Sequence, residues 1–119
     1  SSLQISPVEQ VAFLTRMIEG KLPVSVSAVE QTKILMDNGE QSRGWHIYGK
    51  TGAGMPFGAD GKLLKGQPFG WYVGWAENKG RKIVFARLIR FSERPEGAPG
   101  QIAHAGVIKI LFAPGGILN

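Results

Sequence analysis

Trp45-His46-Ile47-Tyr48-Gly49-Lys50-Thr51-Gly52-Ala53-Gly54 is the stretch whose reading decides the fold. Its first five residues read as a strand carrying Trp, Ile and Tyr, and that strand runs directly into Lys-Thr-Gly. Two further strand-like runs follow, Phe69 to Glu77 and Lys82 to Phe91, with Asn78-Lys79-Gly80 as the turn between them. Together they predict an antiparallel meander. Lys50 is a compact cation able to hold a carboxylate, and the Thr51 hydroxyl can donate to the same group. Gly52 removes a side chain, so a substrate can lie against the backbone there. The competing reading is an edge strand that carries a lysine against aggregation and leaves through a glycine-rich loop.

Upstream, Ser6, Pro7 and Glu9 make a capping box with proline at the first helical position, predicting a helix over residues 6–19. Val8, Val11, Leu14 or Thr15, and Ile18 give it an apolar face, widened by Ala12 and Phe13, and Gly20 ends it as a left-handed cap. A second box, Ser27 to Glu30, predicts a helix to about Asp37, stopped by Asn38-Gly39, with Ala28, Val29, Thr32, Leu35 and Met36 inward. Residues 39–44 read as a polar turn. Glu9, Glu19, Glu30 and Asp37 read as caps and solvated faces.

Residues 53–68 form a long glycine- and proline-rich connection of the kind that often rims a site, with Asp60-Gly61 centring a small hairpin. In the next strand Phe69, Trp71, Val73 and Trp75 fall on one face, read as core. Gly70 and Gly74 share the other, which predicts a closely approaching helix backbone. Residues 82–91 are apolar on both faces, as in a central strand, so further strands are expected beside them. A last helix is predicted over 101–112, with Ile102, Ala103, Ala105, Gly106, Ile110 and Leu111 available for packing.

At 119 residues there is room for one modest core. The absence of Cys removes disulfides, thiolate metal sites and a cysteine nucleophile. His46 and His104 have no partners at ligand spacing, and no metal site is expected. The net charge of +5 is scattered rather than massed on one face, which argues against a nucleic-acid partner. No membrane span and no signal peptide are visible, and the chain starts at Ser1 as though cut from something longer.

These residues together resemble the C-terminal part of class D serine β-lactamases, the oxacillinase-type enzymes. The likeness runs from Ser1 through Leu14, then Leu22-Pro23-Val24, Tyr48 through Gly54, Gly70 through Trp75, and Val84-Phe85-Ala86, in the family's order. The penicillin-sensing domains of transmembrane signalling receptors share the same strands. Lys-Thr-Gly is one of the family's motifs, beside a Ser-x-x-Lys that carries the nucleophile. The resemblance implies an α+β fold, an antiparallel sheet flanked by helices, with residues 1–119 as the C-terminal segment of a transpeptidase-like domain. It implies that a serine outside this chain opens a β-lactam to an acyl-enzyme. A lysine of that same motif, carbamylated by carbon dioxide, would be the base; no cofactor is implied on this chain.

By motif match Lys50, Thr51 and Gly52 would bind the substrate, with Lys50 and Thr51 on its carboxylate and Lys50 also in the proton relay. The Ala53 backbone N–H would be one oxyanion-hole donor. Two departures stand out. There is no Ser-x-x-Lys here, and Ser25-Val26-Ser27 has no setting for the family's Ser-x-Val, so the lone chain is expected to be inactive. Around Ala103 and His104 there is no arginine, which many members use to hold the carboxylate. The implied partners are a β-lactam and the N-terminal part of the fold, on the same or a separate chain, in a periplasmic or secreted setting, without nucleic acid or membrane. A sensor domain, or a non-catalytic remnant that pairs with its own copy as a homo-oligomer, is the alternative.

Overall fold

The computed structural model describes residues 6–119; Ser1 to Ile5, where the family likeness begins, lie outside the described residues. The elements run α1 (Pro7–Ile18), α2 (Val26–Met36), β1 (Asp37–Glu40), β2 (His46–Gly54), β3 (Phe69–Asn78), β4 (Arg81–Arg90) and α3 (Pro99–Phe112). The strands form one antiparallel sheet in the order β1-β2-β3-β4. Two compact units divide the chain, one ending at Lys50 and resuming over 73–86, the other comprising 51–72 and 87–119. Among the described residues no helix is long and apolar enough to cross a membrane.

In the first unit α1 begins as its sequence requires. The Ser6 hydroxyl accepts from the Glu9 N–H, and Glu9 reaches back to the Ser6 N–H. It ends on Gly20, at φ +73°, with Gly20 N–H donating to Met17 and Lys21 N–H to Arg16. That pairing is a Schellman motif. The inward stripe is Leu14 and Met17, flanked by Ile18, while Val8 is 79% exposed and Phe13 also faces out, against the wider face predicted.

Helix α2 starts two residues earlier than its second capping box suggested: Ser25, not Ser27, is the cap, its hydroxyl accepting from Ala28 N–H. Met36 and Val29 face the core, and Leu35, predicted inward, is 83% exposed. Asp37 to Glu40, read as a helix stop and a turn, is instead a short strand, so the meander has a fourth member. Asp37 pairs with Tyr48 and Glu40 with His46, leaving one extra residue on β1, a bulge that Gly39 accommodates at φ +89°. Leu14, Met17, Met36 and Trp75 form the core of this unit, with Tyr48, Val73 and Val84 packed around them. A Cβ on Gly74 would run into the Tyr48 carbonyl and stand 2.7 Å from the Gly49 Cα, so this glycine admits the backbone of β2, not a helix.

In the second unit the expected helix approach is found at Gly70, where a Cβ would stand 2.8 Å from the Gly100 nitrogen. Helix α3 presents Gly100, Ala103, Val107 and Leu111 inward, while Ala105 and Ile110 are exposed. Tyr72, placed by alternation on the small-residue face, is buried, and the His104 ring stacks on it at 4.2 Å and 23°. Burial pushes the Tyr72 phenol far above its ordinary range. Phe69 and Trp71, expected as core, are half-buried. The small hairpin at Asp60-Gly61 is present: Phe57 and Leu63 form a bridge, and the Gly58 N–H donates to the Lys62 carbonyl. Strand β4 is half-buried along both faces and is the outer strand among the described residues.

Candidate active site

The Lys-Thr-Gly segment lies where β2 leaves the core. Ile47 and Gly49 are buried, Lys50 is exposed, Thr51 and Gly52 are half-buried, and Ala53 is exposed again. The direction of the strand is set just before Lys50. Ile47 is fully buried, and the Tyr48 ring lies 4.9 Å from Trp75 at 11°, a parallel stack. Side chains two apart on a strand share a face, so Lys50 continues the row begun by His46 and Tyr48.

Both ends of this aromatic row are held by carboxylates. Trp75 Nε1–H donates to Glu77 at 2.7 Å, and Lys33 of α2 stands 4.0 Å from the same carboxylate. At the other end His46 lies 4.7 Å from Tyr48, and its Nε2 is 2.6 Å from the Asp37 carboxylate. A carboxylate only accepts, which assigns the proton to Nε2. Burial raises the Tyr48 phenol above its usual range, with Glu77, Asp37 and Glu30 adding to the effect. The row was missed from sequence. By sequence Asp37 reads as solvated, and only the alternation of His46, Tyr48 and Lys50 hints at the row.

The Gly39 N–H, and then His46, hold the Asp37 carboxyl below the usual carboxylate range. A depressed folded value contributes stability above the unfolded value, and that contribution is lost as pH falls through the folded one, that is below about pH 4. Asp37→Asn is therefore expected to flatten the acid limb of stability. Urea unfolding at about pH 6 and about pH 3 checks it: the variant should lose less between the two than the parent chain.

Gly52 and Gly54 differ in kind. A Cβ on Gly54 would stand 2.6 Å from the Phe69 ring, so packing within the chain accounts for that glycine. At Gly52 the nearest atom to a Cβ would be the Trp71 Cβ at 3.9 Å, an ordinary contact. The fold does not need glycine there. Gly52→Ala is expected to leave thermal unfolding nearly unchanged and to weaken whatever lies against the strand. A melting-temperature loss beyond a few degrees would assign Gly52 to the fold instead.

Helix α3 begins beside this segment, since a Cβ on Gly100 would be 3.0 Å from the Gly52 carbonyl and 3.1 Å from the Thr51 Cβ. Ala103 is buried and His104 is engaged with Tyr72. Arg94 Nη2 donates to the Lys65 carbonyl at 3.1 Å, tying the loop before α3 to the long connection. Ser25 is occupied as a helix cap. Among the described residues no three of His, Asp and Glu stand close enough to share a metal ion.

The chain belongs to the penicillin-binding protein transpeptidase domain family, whose profile matches residues 1–111. Within it, the likeness to class D enzymes is borne out. β-Lactamase OXA-9 of Klebsiella pneumoniae is 40% identical over 108 residues, 91% of this chain and 39% of that protein. The crystal structure of the class D β-lactamase OXA-427 superposes with a TM-score of 0.81 at 37% identity, over 91% of this chain and 44% of that one. The C-terminal domain of the Bacillus licheniformis BlaR penicillin receptor gives 0.72 at 26% identity, over 95% and 43%. The chain thus spans about two fifths of OXA-9 and a smaller share of other curated relatives, 30% of OXA-1 of Escherichia coli among them.

Proposed function

We propose that this chain forms one wall of a class D serine β-lactamase active site and contributes to hydrolysis of the β-lactam amide. The observation that carries this reading is that β2 leaves the core at Lys50, in a chain 40% identical to OXA-9. In the proposed reaction the serine hydroxyl of a Ser-x-x-Lys outside this chain attacks the lactam carbonyl. The C–N bond breaks, the ring nitrogen takes a proton, and water then hydrolyses the ester. Carbon dioxide, as a carbamate on the lysine of that motif, supplies the general base.

This chain's residues bind and stabilise. The Lys50 ammonium and Thr51 hydroxyl hold the substrate carboxylate by charge-assisted bonds. Gly52 leaves room for the substrate against the strand. The Ala53 N–H donates to the developing oxyanion, a contribution typically worth about 2.7–4 kcal/mol. A periplasmic or secreted setting goes with this reading, since penicillins act outside the cytoplasm.

Likeness to the BlaR receptor supports a second reading, a penicillin sensor. A sensor acylates once and holds the ester, whereas a lactamase releases it. Combining the chain with the Ser-x-x-Lys portion of the fold and following a chromogenic cephalosporin separates them. Sustained turnover supports the lactamase, and a single stoichiometric burst supports the sensor.

A further inference from the structure

No part of the proposed reaction falls to Asn38-Gly39, which lies in the β1 bulge between the Asp37–Tyr48 and Glu40–His46 pairs. Asn38 is exposed, and its Nδ2 stands 3.4 Å from the Asp37 carbonyl, at the outer limit of a hydrogen bond. Gly39 follows at φ +89°, and a Cβ built on it would meet nothing within 4 Å. The Gly39 nitrogen therefore has no side chain to shield it and open space around it. An asparagine followed by such a glycine carries an amide carbon within reach of the next backbone nitrogen, the arrangement from which a cyclic imide closes.

That nitrogen is already engaged. The Gly39 N–H donates to Asp37 Oδ1 at 2.8 Å, and His46 Nε2 lies 2.6 Å from the same oxygen. The Asp37 carboxyl is held below the usual carboxylate range, so it is ionised at neutral pH. Attack requires the nitrogen without its proton. Beside a carboxylate that loss costs twice, because the hydrogen bond goes and two negative charges are set side by side.

We propose that Asn38-Gly39 is a site of spontaneous deamidation, and that Asp37 is its positioning residue, slowing the reaction by holding the Gly39 N–H. The Gly39 nitrogen gives up its proton and bonds to the Asn38 side-chain carbonyl carbon. The bond from that carbon to Nδ2 breaks, and ammonia leaves with the proton. Water then opens the imide at either carbonyl, giving aspartate or isoaspartate. The new carboxylate stands on a strand of four residues that already carries Asp37 and Glu40. The isoaspartate form also lengthens the backbone inside the bulge, so conversion loosens the contact between Asp37 and His46. This inference rests on β1 and β2 alone and does not depend on the hydrolase reading.

The test incubates the full 119-residue chain at neutral pH and physiological temperature and follows both products by peptide mass spectrometry. Asn78, followed by Lys79, is the reference within the same molecule. Asn38 should convert ahead of it. Asp37→Ala should speed conversion at Asn38 about fivefold, the scale of one exposed hydrogen bond, and leave Asn78 unchanged. His46→Gln removes the contact between strands but leaves Asp37 on the Gly39 N–H, so its rate should stay within about twofold of the parent chain. In denaturant the parent and Asp37→Ala chains should convert alike. An Asn38 that stays intact in the denatured chain, or an Asp37→Ala rate no higher than the parent's, would overturn the proposal. So would equal acceleration by His46→Gln, which would make general loosening of β1 the cause, or a difference that persists in denaturant.

Discussion

A chain with alanine in place of Trp75 is expected to lose about 3–5 kcal/mol of stability, the cost of a large cavity in a small core. Trp75 is fully buried among Leu14, Met17 and Met36, so its removal empties the centre of the first unit. It also strips the Tyr48 ring of its stacking partner and the Glu77 carboxylate of its indole donor. Trp75→Phe keeps a ring against Tyr48 and should cost less than half as much. Denaturant unfolding of the two variants beside the parent chain measures both. A loss below about 1 kcal/mol for Trp75→Ala would show that the site is not a packed core.

The second large effect is on chemistry. With the complete active site assembled, Lys50→Ala is expected to lower kcat/KM for carboxylate-bearing substrates by roughly 2–3 kcal/mol, the scale of charged hydrogen bonds lost from a bound anion. Exposed at the point where β2 leaves the core, Lys50 can be truncated with little effect on the fold. Loss of rate without loss of melting temperature is therefore the expected signature. A decrease under about tenfold would return Lys50 to the role of an edge-strand charge.

How far the sequence could be read depended on how local each signal is. The cap at Ser6 and the stop at Gly20 lie within a few residues of what they organise, and both were found where expected. The start of α2 was misplaced because Ser25 and Ser27 both suit a cap, and the earlier start adds helix hydrogen bonds. β1 was invisible. Asp37-Asn38-Gly39-Glu40 has neither β propensity nor alternation, and it is a strand only because β2 pairs with it and His46 meets Asp37.

Tyr72 was assigned away from the core because alternation presumes one polar face. β3 has none: Trp75 enters the core of one unit while Tyr72 lies under His104 in the other. The Lys50-Thr51-Gly52-Ala53 segment stood out because a motif is contiguous. The row of His46, Tyr48 and Trp75, with Asp37 and Glu77 at its ends, is assembled from three strands, and its contacts across strands could not be read from spacing.

The central claim is that these residues supply one wall of a hydrolase whose nucleophile lies elsewhere. It is tested most directly by mass spectrometry of a penicillin adduct, together with cephalosporin turnover. Both are measured on the 119-residue chain alone and on the chain combined with the Ser-x-x-Lys portion of the fold. Alone, the chain is expected to give neither adduct nor turnover. Combined, it should give sustained turnover, with the transient adduct on the serine of the added portion. Turnover by the chain alone, or an adduct on one of its own residues, would contradict the claim.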